Sequence, residues 1–435
     1  MWYEILYRVL SIINYVMLII IGLPLLLQIF YILFSWIKKK TFKPSEKISK
    51  IAYVIPAHNE KDVIFGTVEN VIKGQKYPRE AFDVYVICDN CTDETMELAS
   101  KAGAITIEHI DKDPAHHMAL FPLKFGVDEV LKMDKYDIII HLDADNHINP
   151  EFSKLMSDAY QEGVDFARPY EGSINATQNF YTKACSLFYT FDSRYGSRVR
   201  ERLHIAAHVN GSGAMMSTRM LKKCGGYDSV SISDDAEFNF NRMLEGYKGH
   251  FVEDAIVYED MPSSFKDTLN RNKRIGSGSM KLIKEKLIKM VGKFFVTGNF
   301  SFIEMFLTYM FNFITIIVSV WIPLFFIYDF LFLGFAAYGQ LPLTMFESSY
   351  YMSLLWNTVY SCVGIIGGLF LVFCFLQSLF LVISDYKKMG AKKRSELMSA
   401  VFLFPVFLTL YSITICIGTF SKPSWGKVNR NKIKE

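Results

Sequence analysis

Short apolar runs alternate with stretches of helical period in the middle of this chain, between residues 50 and 280. Four of the runs have the length of buried strands, and they lie at residues 51–55, 83–87, 104–108 and 138–142. The stretches between them predict helices at residues 62–73, 93–102 and 121–132. Because strands and helices alternate, the pattern predicts a parallel sheet with helices on both faces. The expected fold class is α/β, with a mainly parallel, Rossmann-like sheet.

Long uncharged stretches flank this region, and they lie at residues 9–37, 305–328, 348–384 and 397–421. Each is long enough for a helix to cross a bilayer, which takes about 20 apolar residues. A shorter apolar piece at residues 330–346, set off by Asp329, is re-entrant, interfacial or an extension of its neighbour. The α/β domain is therefore expected to be inserted between transmembrane helices.

A basic, amphipathic pattern begins at residue 281, just before the second uncharged stretch. A soluble surface helix is the alternative, but this position favours a helix that lies in the plane of the membrane interface. The expected organisation is a transmembrane helix with a basic linker at residues 1–49, the α/β domain at 50–280, the interfacial helix at 281–300, transmembrane helices at 301–421 and a basic tail at 422–435.

Basic residues cluster beside the apolar stretches, while the net charge of the whole chain is only +3. Six lysines between residues 38 and 50 follow the first stretch. By the positive-inside rule they place the α/β domain in the cytoplasm and the chain in the cell membrane as a multi-pass protein. Membrane lipid is the expected partner of these residues, and no pattern resembles a nucleic-acid-binding module.

The side of the C-terminus stays open, because the tail at residues 422–435 is also basic. With four simple crossings this tail would lie outside, against the same rule. Either residues 305–346 cross twice, or residues 397–421, which contain Pro405, do not cross fully.

Two aspartates, Asp143 and Asp145, directly follow the fourth apolar run. Their i, i+2 spacing lets both carboxylates face one cation, and hard oxygen ligands suit Mg²⁺ or Mn²⁺, which commonly bind substrate phosphates as well. Polar clusters also follow the first two predicted strands, at residues 56–60 and 89–90. Ligands of such sheets bind beyond the carboxyl ends of the strands. Three polar clusters at one edge therefore predict a single binding site.

With these residues in place, the chain resembles the membrane-bound members of glycosyltransferase family 2, the group of the cellulose, hyaluronan and poly-N-acetylglucosamine synthases. The likeness covers about residues 51–278. The matching segments are 54–60, 89–93, the D-x-D at 143–145, the glycine-rich 209–213 and S-D-D-A-E at 233–237, which stands for the family's T-E-D-x-E. The resemblance implies the GT-A form of the α/β fold.

The resemblance also implies roles for individual residues. Asp235 is expected to be the catalytic general base, and Asp145 with Asp143 to bind the divalent cation. The residues expected to bind the donor are Pro56, Ala57, His58, Glu60, Asp89, Asn90, Asp143 and Arg274. The residues expected on the acceptor side are Gly211, Ser212, Gly213 and Asp234. One base without a carboxylate nucleophile implies a single displacement that inverts the anomeric centre.

One segment, at residues 271–275, departs from the family's Q-x-x-R-W. It keeps Arg274, but Arg271 and Ile275 replace the glutamine and the tryptophan. In polymerising members that tryptophan is expected beneath the acceptor sugar. Its loss favours the addition of one or a few sugars over processive polymerisation, without deciding between them.

The expected function is that of a membrane-embedded inverting glycosyltransferase that uses a nucleotide sugar, UDP-linked by the resemblance. Its acceptor is a growing cell-surface polysaccharide or a glycolipid, and a partner subunit is left open. The alternative is a non-catalytic transporter or scaffold with a degenerate sugar-nucleotide domain. The retained Asp143, Asp145 and Asp235 oppose it, as does the near absence of ionisable groups in the uncharged stretches, since transporters usually place such groups inside their spans.

Overall fold

A computed structural model of the protein describes residues 2–113, 116, 118–209, 211–337, 349–350, 352–357, 359–360, 364, 368 and 370–421. The predicted basic tail at 422–435, residues 338–346 of the short apolar piece and part of the stretch at 348–384 lie outside the described residues.

One sheet organises the described part of the middle domain. Its eight strands are, in chain order, β1 Ile51–Ala57, β2 Phe82–Asp89, β3 Ile105–His109, β4 Ile138–His141, β5 His147–Ile148, β6 Phe166–Ser173, β7 Met215–Ser217 and β8 His250–Glu259. Their spatial order is β3-β2-β1-β4-β7-β6-β8-β5. The carboxyl ends of β1, β2 and β4 therefore lie side by side, where sequence analysis expects the site.

Helices cover both faces of the sheet and continue beyond it. They are α1 Trp2–Phe34, α2 Ile64–Gly74, α3 Thr95–Lys101, α4 Leu120–Lys132, α5 Phe152–Gln161, α6 Phe180–Phe191, α7 Arg198–Arg202, α8 Thr218–Cys224, α9 Asp234–Leu244, α10 Phe265–Leu282, α11 Ile288–Thr297, α12 Phe300–Ala337, α13 Gln377–Asp385 and α14 Met398–Thr419. The seven elements predicted up to residue 142 are all present, with ends within two residues of the prediction.

The sheet is mainly parallel, as expected, but it also contains three antiparallel strand pairs. Strands β1 to β4 pair in parallel as expected, and so do β6 and β8. The pairs β4–β7, β6–β7 and β5–β8 are antiparallel. The regular alternation of strands and crossover helices ends at β4. A strand that follows a crossover helix runs parallel to the strand before it, so the sequence pattern sets no direction for the later strands.

Alternate residues of the central strand β1 enter two separate apolar cores. Tyr53 and Ile55 pack on one face, with side chains from α2 and α5. Ala52 and Val54 pack on the other, with side chains from α4, α8 and α9. Because both faces are covered, the strand is apolar along its whole length, and this is why the four runs are visible in the sequence.

Where the structure describes them, the apolar stretches form helices that contact the sheet domain. Helix α12 runs without a break through Asp329, so the described part of the short apolar piece extends its neighbour. Among the residues that the structure describes, one helix, Arg394–Thr419, is long and apolar enough to cross a membrane. The predicted interfacial segment is helical and continues α10 through a π-helical turn, Ile283–Leu287, into α11.

Candidate active site

Two loops at the carboxyl ends of β1 and β2 are fastened to each other. The Nδ1 atom of His58 lies 2.7 Å from the carbonyl oxygen of Asp89. The side-chain oxygen of Asn59 accepts a hydrogen bond of 2.8 Å from the backbone N–H of Thr92. Asn59 and Asn90 both have left-handed backbones, with φ of 54° and 45°, which asparagine tolerates better than most residues. These contacts hold the two loops as one polar surface.

The carboxylate of Asp89 is buried at the centre of this surface. Its Oδ1 accepts a hydrogen bond of 3.0 Å from Asn90 Nδ2 and lies 2.8 Å from His109 Nδ1. The backbone of the predicted donor-binding residues is fixed as well, because Pro56 and Ala57 pair within the sheet and the N–H of Glu60 donates to a threonine hydroxyl on α3. The predicted donor-side residues from β1 and β2 therefore meet in one place.

The D-x-D aspartates follow β4 and differ in exposure. Asp145 is 3% exposed, and its Oδ1 accepts a hydrogen bond of 3.2 Å from Asn146 Nδ2. The side chain of Asp143 is 46% exposed. The backbone N–H of Asp143 lies 3.0 Å from Asn146 Oδ1 and 2.9 Å from the hydroxyl of Ser212. This turn therefore presents one fixed and one accessible carboxylate at the sheet edge.

These two carboxylates fit a divalent cation that is shared with a substrate. No group of three potential ligand side chains forms among the described residues, so a complete protein cage is not found there. Mg²⁺ and Mn²⁺ are commonly held by one or two carboxylates, with phosphate and water oxygens completing the shell. The donor set of Asp143 and Asp145 has that chemistry.

Asp235, the predicted base, lies in the first turn of α9 and faces the glycine-rich loop. Its Oδ2 accepts a hydrogen bond of 2.7 Å from the backbone N–H of Gly211. Gly211 and Gly213 have φ of 74° and 77°, a region in which other residues are strained. The glycines thus let the loop turn its N–H toward Asp235, while the next residue, Ser212, reaches the D-x-D turn.

His141 connects the two acidic groups and was not among the predicted site residues. It is the last residue of β4, and its Nε2 lies 3.5 Å from Asp143 Oδ1. Burial lowers the pKa of His141, but the negative charges of Asp143, Asp234 and Asp235 outweigh burial and raise it overall. His141 and Asp143 are spaced i, i+2 on an extended segment, so strand periodicity was the signal that could have identified it.

Asp234 is partly buried beside the predicted base. Burial and the negative charge of Asp235 raise the pKa of Asp234 to about 7, although His141 opposes the shift. The hydroxyl of Tyr227 donates a hydrogen bond of 3.0 Å to Asp234 Oδ2. His141, Gly211, Tyr227 and Asp235 also line a small cavity between β4 and α9. Two adjacent carboxyl groups therefore have different surroundings.

Arg274 lies on α10, which passes directly over the start of α9. A Cβ atom placed on Gly278 would overlap the side chain of Ser233, so the two backbones approach closely. Arg274 is four residues before Gly278 and shares its helix face. Arg271 instead pairs with Glu259 at 3.1 Å and lies 4.9 Å from the ring centre of Tyr189.

Known proteins and a protein-family model are similar to most of this chain. A family model described as Glycosyl transferase family group 2 matches residues 138–414. The beta-monoglucosyldiacylglycerol synthase of Nostoc sp. is 24% identical over 45% of this chain, and the glucomannan 4-beta-mannosyltransferase 1 of Cyamopsis tetragonoloba is 21% identical over 66%. The alignments cover 41% and 55% of those proteins, so the chain spans about half the length of these curated relatives.

A solved structure shares the fold over nearly the whole chain. It is the mannosyltransferase PcManGT from Pyrobaculum calidifontis in complex with GDP-Man and Mn²⁺, with a TM-score of 0.53 at 13% sequence identity. The match covers 92% of this chain and 98% of that one. At this identity the likeness shows the fold, including the helices beyond the sheet.

Proposed function

The chain belongs to the glycosyl transferase family 2 group, and on that basis we propose that it is a metal-dependent, inverting glycosyltransferase embedded in the cell membrane. The family match and the α/β fold of the GT-A type confirm two parts of the expectation from sequence, namely the family and the fold. The proposed substrates are a nucleotide sugar as donor and a glycolipid or a growing polysaccharide as acceptor.

One observation carries the proposal: two neighbouring residues join the metal-binding turn to the base. The hydroxyl of Ser212 lies 2.9 Å from the backbone nitrogen of Asp143, and the N–H of Gly211 donates to Asp235 at 2.7 Å. A donor phosphate bound at Asp143 and an acceptor hydroxyl bound at Asp235 would thus flank one loop. This arrangement suits the attack of an activated hydroxyl on a sugar carbon with a diphosphate leaving group.

The proposed mechanism assigns one task to each group of residues. Asp89, with the loops after β1 and β2, binds the nucleotide, and Asp145 with Asp143 would hold the divalent cation. When bound, the cation neutralises the charge that develops on the leaving diphosphate. Arg274 contributes a guanidinium, which binds phosphate oxygens in two-point contacts. Asp235 accepts the proton of the acceptor hydroxyl, which attacks from the side opposite the leaving group.

The relatives support the substrate classes without identifying a single substrate. The solved mannosyltransferase is in complex with GDP-Man and Mn²⁺, so a GDP-sugar stands beside the UDP-sugar expected from sequence. One curated relative is named as a monoglucosyldiacylglycerol synthase, which refers to a lipid, and another as a glucomannan mannosyltransferase, which refers to a polysaccharide. These are the two acceptor classes of the proposal. Replacement of the family tryptophan by Ile275 supports limited addition over processive synthesis.

We further propose that the chain crosses the membrane more than once, with the sheet domain in the cytoplasm. Helices α1 and α12 cover two of the uncharged stretches, in addition to the apolar helix at Arg394–Thr419. Exposed apolar side chains on α11, including Ile288 and Val296, support contact of that helix with the lipid interface.

Two substitutions of Asp235 test the proposed base. Asp235→Asn keeps an oxygen that can accept the Gly211 N–H but cannot take a proton, whereas Asp235→Ala loses both properties. We expect each to lower kcat by at least about 10²-fold, the size of a general-base contribution. The measurement is sugar transfer from radiolabelled UDP- and GDP-sugars, with Mn²⁺ or Mg²⁺, in membranes that contain each variant.

Asp254→Asn is the matched control, because Asp254 lies in the middle of β8 and pairs with Lys39. This substitution should leave kcat unchanged. Retained transfer by Asp235→Asn would contradict the role of the base. If the wild-type chain neither transfers sugar nor releases nucleotide from any donor, with native lipids supplied, the result supports the non-catalytic alternative. A product that retains the donor's anomeric configuration would exclude single displacement.

A further inference from the structure

Glu171, near the end of β6, is a buried residue that the proposed transfer reaction does not yet use. The residue is 5% exposed. Its Oε1 lies 2.8 Å from Arg168 Nη2. Its Oε2 is shielded from solvent and has no hydrogen-bond partner among the residues that the structure describes. Because a buried polar atom without a partner is costly, a bound group that supplies the missing hydrogen bond would be favoured.

The pairing with Arg168 does not explain why this carboxyl group is present. Arg168 Nη1 lies 2.6 Å from Asp192 Oδ2 and donates to the hydroxyl of Ser197 at 3.1 Å. The same nitrogen donates to the carbonyl oxygen of His208 at 3.3 Å. Arg168 therefore has an anionic partner besides Glu171, and the unpartnered Oε2 contributes nothing to that pairing.

Glu171 holds a proton at neutral pH. Burial and the negative charges of Glu259 and Asp192 raise its pKa to about 8, although Arg168 opposes the shift. A protonated carboxyl group donates one hydrogen bond and keeps the capacity to accept others. Such a group suits a neutral hydroxyl, which is itself both a donor and an acceptor.

Glu171 borders the loop that holds the proposed base. The N–H of Gly211 donates to Asp235 Oδ2 at 2.7 Å. A Cβ atom placed on Gly211 would lie 3.8 Å from Glu171 Oε1, and among the described residues outside the adjoining chain no other atom lies within 4 Å of it. With standard bond lengths, the carboxyl oxygens of Asp235 and Glu171 are therefore at most about 9 Å apart.

Two neighbouring hydroxyls of one sugar ring fit this pair of carboxyl groups. With a hydrogen bond of about 2.8 Å at each end, such hydroxyls span a separation of this size. One hydroxyl would meet Asp235 and react, while the next would bond to Glu171 and fix the orientation of the ring. A lipid alcohol with a single hydroxyl, such as diacylglycerol, could occupy only the first position.

We propose that Glu171 binds a second hydroxyl of the acceptor, next to the one that Asp235 deprotonates, and thereby selects a sugar over a lipid with a lone hydroxyl. The inference rests on the proposed glycosyltransferase function and narrows its acceptor to the sugar of a glycolipid or polysaccharide. Glu171 sets specificity, and the proton of the reacting hydroxyl still goes to Asp235.

Glu171→Leu removes the proposed hydrogen bond, and Glu171→Gln keeps a neutral group that both donates and accepts. Glu253→Leu is the matched control, because Glu253 is also 5% exposed but pairs with Lys388 on β8. The acceptor probes are dodecyl glucoside, galactoside and mannoside, with dioleoylglycerol for comparison. We expect Glu171→Leu to lower kcat/KM for the glycoside about three- to tenfold, the contribution of one hydrogen bond. Glu171→Gln and Glu253→Leu should keep it.

Two further readouts separate acceptor binding from a structural role. Nucleotide release from the donor without acceptor, and KM for the nucleotide sugar, should be unchanged in Glu171→Leu. A glycoside that lacks the neighbouring hydroxyl should be a poorer acceptor for the wild type by the same factor. That deoxy glycoside should lose nothing more in Glu171→Leu, because the two changes remove one shared contact.

Equal kcat/KM for the glycoside in Glu171→Leu and Glu253→Leu would overturn the inference, as would losses that add for every deoxy glycoside. A wild-type preference for dioleoylglycerol over all three glycosides would also overturn it, and that comparison does not depend on the folding of any variant. These outcomes leave the proposed function intact, since sugar is still transferred. A wild-type chain that neither transfers sugar nor releases nucleotide from any donor would instead contradict the proposed function.

Discussion

Two adjacent carboxylates on α9, Asp234 and Asp235, differ in their hydrogen-bond partners. Asp235 turns to the glycine-rich loop and accepts a backbone N–H, while Asp234 is bonded to the Tyr227 hydroxyl inside the domain. The negative charges of these two neighbouring carboxylates repel each other, and burial further disfavours the charged form of Asp234. The neighbour of the base therefore holds its proton to about neutral pH.

Asp234 should make the stability of the domain depend on pH. Folding raises its pKa from 3.8 to about 7, so the folded state binds the proton more tightly, and stability falls as pH rises between those values. Asp234→Asn removes this group, so its melting temperature should fall less than that of the wild type between about pH 5 and about pH 7. Thermal unfolding in detergent at several pH values measures the difference.

Asp134→Asn is the control for this experiment. Lys222 lowers the pKa of Asp134, which is exposed, so that group is ionised in both states over the same pH range. Its loss should leave the slope of melting temperature against pH unchanged. Equal slopes for the wild type and Asp234→Asn would show that Asp234 does not hold its proton.

Helix α10 is the element that connects the site to the apolar helices. Gly278 allows it to approach Ser233 on one side. On the other side a Cβ atom on Gly276 would lie 2.5 Å from the carbonyl oxygen of Ile415, on α14. The amide of Asn272 also donates to the hydroxyl of Thr414 at 2.7 Å. The position of α10, and with it that of Arg274, depends on contacts with both neighbours.

Gly278→Ala should therefore displace α10 from the start of α9. The new methyl group meets Ser233, and a shift of about 1 Å in a catalytic group can lower kcat about 10²-fold. Gly292→Ala on α11 is the control, because nothing lies within 4 Å of its Cβ position. The control should keep kcat and stabilise the helix by about 0.5–1 kcal/mol. Transfer kinetics and thermal unfolding check both variants, and unchanged kcat in Gly278→Ala would contradict the close fit.

At the scale of the whole molecule, a buried ionic cluster joins the sheet domain to α12. Glu304, near the start of α12, lies 2.9 Å from Arg200 Nε and 3.1 Å from His208 Nε2. The guanidinium of Arg200 also lies 5.3 Å from the ring centre of Tyr31 on α1. Three separate parts of the chain meet here, so the cluster sets how the first and later apolar helices sit on the domain.

Glu304→Gln should destabilise the protein by about 3–5 kcal/mol, because it removes the nearer of the two carboxylates that pair with the buried charge of Arg200. Glu285→Gln, at an exposed position on the π-helical turn before α11, is the matched control and should change stability by less than about 0.5 kcal/mol. Chemical denaturation in detergent measures both. Equal stability of the two variants would indicate that packing rather than charge joins α12 to the domain.

The sequence by itself determined the features that depend on neighbours in the chain. The strands β1 to β4 are visible because both faces of the sheet bury them, and the polar residues that end them mark the site edge. The remaining strands were not predicted, since β6 and β8 carry Arg168 and Glu253 inside buried segments. Such strands lack the apolar pattern of a buried strand, and the partners that neutralise their charges are distant in the sequence.

Only the tertiary structure decided which residues of the site touch. Gly211 reaches Asp235 across 24 residues, and Ser212 reaches Asp143 across 69. The role of His141 likewise depends on charges brought from α9. The antiparallel strand pairs of the sheet and the raised pKa of Asp234 have the same origin. The periodicity of apolar residues shows which face of a helix or strand is buried. These features depend instead on which other elements cover that face, and only long-range packing determines that.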